Sequence, residues 1–187
     1  MDGEGLHRCF AAIEFPFEVV KEIERIQREL NKMAFIGKTI ELDNLHLTLK
    51  FLGELDDEML GKVREKLREV EFSSFNARLG ECGTFDVMGN PRIVWSKVNG
   101  KEVFELQADI DRVLGEIGFK KEERFMSHLT IARIKYVKDK IGFREHVVNL
   151  GVGRVKFKIG EFELKESVLG RAGPVYTTVE KYGAERH

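Results

Sequence analysis

One tetrapeptide occurs twice in this chain with a single conservative change: His46-Leu47-Thr48-Leu49 and His128-Leu129-Thr130-Ile131. The copies lie in runs, Leu45 to Leu52 and Ser127 to Ile134, whose composition reads as β-strand. In a strand, residues i and i+2 project from the same face. His46 and Thr48 therefore point together while Leu47 and Leu49 point into a core, and His128 and Thr130 repeat the arrangement. A single copy would pass for an ordinary half-buried strand, but two near-identical copies, one in each half, ask for a shared purpose. The other three histidines, His7, His146 and His187, lack a threonine two residues on and read as surface residues.

Two such pairs across one cleft suit acid–base chemistry. An imidazole titrates near about pH 6.5, so one ring can be neutral while the other is protonated. That provides a general base and a general acid for one reaction. The threonine hydroxyls can donate hydrogen bonds to phosphoryl oxygens as charge develops. In-line displacement at phosphorus needs catalysts on opposite sides, which explains two copies. A metal centre is disfavoured: nothing supplies a third ligand, and His-x-Thr lacks the carboxylate of hydrolytic zinc signatures.

Around the motifs the chain alternates strands and helices. Arg8 to Phe15 reads as a strand halted by Pro16, where a helix can begin. Val20, Ile23, Gln27, Leu30 and Ala34 then keep helical spacing, with Gly37 expected to close the helix. Further helices are expected over Asp56 to Val70, with Asp56 as N-cap, over Glu102 to Ile117, stopped at Gly118, and over Asp139 to Leu150, where Gly142 is a poor fit. Strands are expected over Phe75 to Phe85, Arg92 to Val98, Val152 to Phe162, Leu164 to Leu169 and Val175 to Tyr182. The segment around Glu163 to Lys165 is either one bent strand or a break between two. Met88-Gly89-Asn90-Pro91 reads as a turn. The order implies an α+β fold, helices packed on largely antiparallel sheet.

Composition narrows the function classes. The 187 residues are 42% hydrophobic and 34% charged, the profile of a globular protein. A net charge of −1 argues against a non-specific coat on long nucleic acid, though a local basic patch suffices for a few phosphates. Cys9 and Cys82 have no metal-ligand spacing and are expected as buried, reduced thiols. With no signal peptide and no apolar run long enough to cross a bilayer, no membrane association and a cytoplasmic location are expected.

The motifs and their flanks resemble the two-histidine (2H) phosphoesterase superfamily, and within it the RNA 2′,3′-cyclic phosphodiesterase group, also called ThpR, LigT or "2′-5′ RNA ligase". The likeness is carried by Phe10-Ala11-Ala12-Ile13, by His46 through Gly53, and by Arg92-Ile93-Val94-Trp95. It continues through Gly118-Phe119, Arg124 through Arg133, and Gly173-Pro174-Val175-Tyr176. Ser127 departs from it, standing where many relatives have proline.

The resemblance implies one bilobal α+β domain over residues 1–187, with 1–7 loose. Two largely antiparallel sheets with packed helices would form a central groove carrying one motif from each lobe. It implies hydrolysis of RNA 2′,3′-cyclic phosphate ends to 2′-phosphate ends without a metal or other cofactor, His46 as proton donor and His128 as proton acceptor. The motifs' symmetry does not itself fix that order. Reversible 2′-5′ joining of tRNA halves by a monomer is also implied. Arg133 is a phosphate-contacting position of the family, but strict alternation turns it away from His128 unless the strand bulges. Lys50 shares the parity of His46 and Thr48 and is a candidate for a neighbouring phosphate or for solvent. Phe51 and Phe125 are candidates to stack on a base, and Trp95 is expected in the core. The rival readings are a non-catalytic RNA-end binding module and a related phosphodiesterase acting on a small cyclic nucleotide.

Overall fold

The computed structural model describes residues 5–170 and 173–185. The described chain runs β1 (His7–Glu14), α1 (Phe17–Leu30), β2 (Ile36–Thr39), β3 (His46–Leu55), α2 (Asp57–Leu67), β4 (Phe75–Val87) and β5 (Asn90–Asn99). It continues α3 (Lys101–Gly115), β6 (His128–Tyr136), α4 (Lys140–Val148), β7 (Lys156–Ile159), β8 (Glu161–Gly170) and β9 (Gly173–Gly183). Every pairing between these strands is antiparallel, in two sheets of order β3-β1-β8-β9 and β2-β6-β5-β4-β7. The α+β expectation holds: the first sheet unites the two ends of the chain, and the second is built from its middle.

Local chemistry explains most boundaries. Asp56 caps α2 by accepting the Met59 N–H at 2.7 Å. Asp139 caps α4 through the Gly142 N–H at 3.0 Å, and a side chain at Gly142 would collide with that carboxylate, so the glycine serves the cap. Met88 and Gly89 both take positive φ, as a two-residue hairpin between β4 and β5 requires.

Three expectations need correction. α1 stops at Leu30, and Gly37 lies in β2, where any side chain would strike the Arg133 carbonyl of β6; its role is close strand approach, not helix termination. The strand expected over Val152 to Phe162 is broken at Gly160, whereas Glu163 to Lys165 takes the single-strand alternative, inside β8 with a register shift between Leu164 and Lys165. His7 opens β1 instead of belonging to a loose lead, and its ring meets Glu166 at 2.9 Å and Asp57 at 3.0 Å. Residues 1–4 and His187 lie outside the described residues.

Helices and sheets interlock. α1, which follows β1 of the first sheet, packs on β6 of the second, while α3, which follows β5 of the second, packs on β3 of the first. Leu47 and Leu49, like Leu129 and Ile131, are at most 1% exposed beneath these helices. Cys9 and Cys82 are buried free thiols, as expected, and desolvation pushes them up to about 11 and about 12.

Each motif strand carries an extra residue at the same point. Ala12 faces Thr48 and Ala11 faces Lys50, leaving Leu49 over; Trp95 faces Thr130 and Val94 faces Ala132, leaving Ile131 over. These are β-bulges at the fourth motif residue. The buried Gln27 of α1 supports the second, its side-chain amide donating to the carbonyls of Ile131 at 3.1 Å and Ile40 at 2.8 Å. Replacing Gln27 with Leu leaves the Ile40 carbonyl without that donor and should lower unfolding free energy by about 1–3 kcal/mol, read by urea denaturation.

Candidate active site

The bulges decide which side chains share a face. From the motif histidine onward, β3 and β6 have the same exposure sequence over nine positions, with two consecutive buried residues at Leu49–Lys50 and at Ile131–Ala132. After the bulge the parity is inverted. Arg133 therefore returns to the face of His128 and Thr130, and Phe51 joins His46 and Thr48. Lys50, expected on that face by strict alternation, is turned inward and is 7% exposed.

The strands meet across a groove. A cavity of about 510 Å³ is lined by Thr48 and Phe51 from β3, His128, Thr130 and Arg133 from β6, and Phe125 from the loop before β6. Arg133 also lines a neighbouring cavity with Asn44 and Tyr176, on the side where His46 sits. Phe51 is 76% exposed, while Phe125 is half-buried and meets Phe104 edge-on. Trp95, expected in the core, instead stands opposite Thr130 and so on the groove face, half-buried against Phe85.

The two imidazoles are held alike. His46 Nδ1 lies 2.8 Å from the Asn44 carbonyl, and His128 Nδ1 lies 2.7 Å from the Met126 carbonyl, in each case two residues upstream. A carbonyl only accepts, so Nδ1 carries the proton and donates it, leaving Nε2 as the working nitrogen of each neutral ring. Aromatic neighbours fix the planes: Phe10 and Tyr176 flank His46 with ring centres at 4.9 and 5.1 Å, and Phe85 stands edge-on to His128 at 4.9 Å.

Burial pulls both imidazoles below their usual 6.5, against the opposing pull of the carbonyl bonds. For His46, the positive charges of Lys165 and Arg133 add to the lowering. His128, Thr48, Thr130 and Arg133 line one cavity and His46 stands beside its neighbour, next to Tyr176, a set of groups that can move protons about an oxyanion.

The family description "LigT like Phosphoesterase" matches residues 13–95 and residues 97–176, and each stretch contains one motif. The chain belongs to the LigT-like phosphoesterase family. A protein from Methanocaldococcus jannaschii named RNA 2′,3′-cyclic phosphodiesterase is 32% identical to this LigT-like chain, covering 94% of it and 99% of the relative. One of the same name from Thermotoga maritima is 33% identical over 90% of the chain and 91% of the relative. Among solved structures, a Thermus thermophilus protein superposes with a TM-score of 0.83 at 27% identity, covering 96% of this chain and 100% of that one. E. coli LigT crystallised with 3′-AMP gives a TM-score of 0.76 at 21% identity, covering 97% and 100%, a likeness of fold.

Within this LigT-like groove, sequence reasoning named Lys50, which lines the cavity wall, but missed its buried partners. Lys50 forms a buried ion pair with Asp111 of α3 and also donates to the Lys120 carbonyl. Asp111 further accepts from Gln107 at 2.8 Å and from the Glu122 N–H at 2.9 Å. Burial alone would raise this carboxyl, but the hydrogen bonds from Lys50, Glu122 and Gln107 outweigh it and hold it below its usual range. The cluster thus ties β3 to the loop that carries Phe125 and Met126 toward His128. The pairing of these polar residues across 61 positions left no local signal. Among the described residues no group of three or more His, Cys, Asp or Glu side chains is arranged to hold a metal, and no helix is long and apolar enough to cross a membrane.

Lys50→Met strands the Asp111 carboxylate and should cost about 3–5 kcal/mol of stability, whereas Lys50→Met combined with Asp111→Leu should regain most of it. Chemical denaturation of the wild type and both variants reads the difference; equal losses in the single and double variants would contradict the pairing.

Proposed function

We propose that this protein hydrolyses RNA 2′,3′-cyclic phosphate ends to 2′-phosphate ends, with the two imidazoles as its proton-transfer groups and no metal. The observation carrying the reading is the pair of Nδ1-anchored rings on equivalent bulged strands facing one groove. It is supported by relatives above 30% identity that bear the name RNA 2′,3′-cyclic phosphodiesterase.

In this mechanism water attacks phosphorus while His128 Nε2 takes its proton. The P–O3′ bond breaks, its electron pair leaves with O3′, and His46 Nε2–H protonates that oxygen. Solvent exchange then restores His128 to the neutral form and His46 to the protonated form. The substrate's negative charge offsets Lys165 and Arg133 and so favours the protonated His46 that the donor role needs. Thr48 and Thr130 donate to the non-bridging oxygens, Arg133 compensates their charge, and Phe51 and Phe125 flank the terminal base. Lys50 has no part in binding, because its ammonium is held by Asp111. With a 5′-hydroxyl in place of water, the same steps join RNA through a 2′-5′ bond, tRNA halves being the substrates in view. One chain supplies both motifs, so the reading takes the enzyme to act as a cytoplasmic monomer.

A short RNA ending in 2′,3′-cyclic phosphate, incubated with EDTA, tests the reading. Turnover to a 2′-phosphate should persist, and His46→Ala or His128→Ala should each lower kcat/KM by about 10²–10⁴. Inhibition by EDTA, or full activity in either variant, would sink the mechanism; tight binding without turnover would make the protein an RNA-end binding module.

A further inference from the structure

The groove face of the second sheet does not end at His128. Register follows it outward: His128 is opposite Lys97 of β5, Asn99 lies two residues on, Arg78 of β4 is opposite Asn99, and Lys156 of β7 is opposite Arg78. Directly opposed residues share a face, as do residues i and i+2, so all five project from the surface that bears the catalytic ring. Arg154 and Lys158 flank Lys156 with the same spacing, while Phe157, between the two lysines, and Ile159, just beyond them, are buried.

This end of the sheet is concave and positively charged. Two adjoining depressions, of about 680 and about 520 Å³, share Arg78, Asn99 and Lys156 in their walls, and Arg154 lines the larger. Glu81 is the one acid lining either among the described residues, and it pairs with Lys97 at 3.3 Å. No carboxylate forms an ion pair with Arg78, Arg154 or Lys156 among the described residues.

The bland explanation for lysines on an edge strand is protection against edge-to-edge pairing. It covers Lys156 and Lys158 on β7 but not Arg78, which sits on β4 between β5 and β7. Like charges directly opposite one another destabilise a sheet. Arg78 against Lys156 is such a pair, and an anion lying between them would relieve it.

We propose that this face is a track for the sugar–phosphate backbone of single-stranded RNA, 5′ of the cyclic phosphate held in the groove. It rests on the reading of the groove as an RNA-end site and narrows the substrate to polynucleotides. From His128 to Lys156 is three strand spacings across and two residues along, about 16 Å. A mononucleotide does not span that distance, whereas a strand leaving the groove does, bringing its phosphates over Arg78, Lys156 and Arg154. Such contacts are electrostatic and independent of sequence.

Two measurements test the track separately from the chemistry. The first is salt-dependent anisotropy of a 5′-labelled single-stranded RNA with an unreactive 3′-hydroxyl end. Arg78→Glu/Lys156→Glu should weaken binding at least about tenfold at low salt, and the log–log salt slope should fall by about 0.7 for each phosphate no longer neutralised. The second is turnover: kcat/KM should fall for an oligonucleotide with a cyclic end and stay unchanged for a nucleoside 2′,3′-cyclic monophosphate. The milder Arg78→Gln/Lys156→Gln variant, checked by circular dichroism, should show a smaller effect in the same pattern and separates removal of charge from disruption of the fold. Undiminished RNA binding by both variants, absence of salt-dependent binding in the wild type, or equal loss on both substrates overturns the track. RNA binding that follows the expected pattern without hydrolysis of any substrate would overturn the catalytic reading and leave the track standing.

Discussion

An extra residue in each motif strand reconciles two demands that strict alternation cannot meet together. The strand must bury Leu47 and Leu49, or Leu129 and Ile131, under a helix. It must also present His, Thr and a later residue, Phe51 or Arg133, to the groove. With period-two alternation the fifth residue after the histidine falls on the core side. The bulges at Leu49 and Ile131 invert parity at that point, so Arg133 comes to the groove and Lys50 goes to the interior. The groove's composition follows from this irregularity.

Supporting a bulge takes polar chemistry inside the core. At Ile131 the carbonyl accepts from the Ile40 N–H at 2.9 Å and from Gln27 at 3.1 Å, so the disrupted ladder keeps its hydrogen bonds. On the other lobe Gln107 occupies the corresponding helix and joins Asp111, which holds Lys50. The chain's two glutamines are thus both buried, one in each lobe, although glutamine is a surface residue by preference. Because α1 serves β6 and α3 serves β3, each half of the chain sets the geometry of the other half's motif.

Much of this was legible in the sequence, for physical reasons. The duplicated His-x-Thr, the Asp56 cap and the amphipathic α3 are local patterns, and local patterns carry their own geometry. The bulges were not legible, since Leu49-Lys50 and Ile131-Ala132 look like ordinary strand. Strict alternation therefore assigns Lys50 to the groove face, where it is not found, and brings Arg133 there only if the strand bulges. Gly37 misled for a related reason: a glycine after a helical run reads as a stop, but here it allows β2 to approach β6 beside Arg133. The carbonyl anchors at Asn44 and Met126 belong to backbone geometry, which no residue type announces.

In the proposed mechanism, two imidazoles that burial inclines to the neutral form, each working through Nε2, divide the base and acid roles about one phosphodiester. The pH dependence of kcat/KM on an RNA cyclic-phosphate end tests that division most directly, because that ratio reports the free enzyme. Activity should fall at low pH as His128 becomes protonated and at high pH as His46 loses its proton. Burial pulls both groups below 6.5, so the bell should peak on the acid side of that value. In kcat, which reports the bound state, the basic limb should move upward as substrate charge stabilises protonated His46. A profile flat from about pH 5 to about pH 9 would contradict the account.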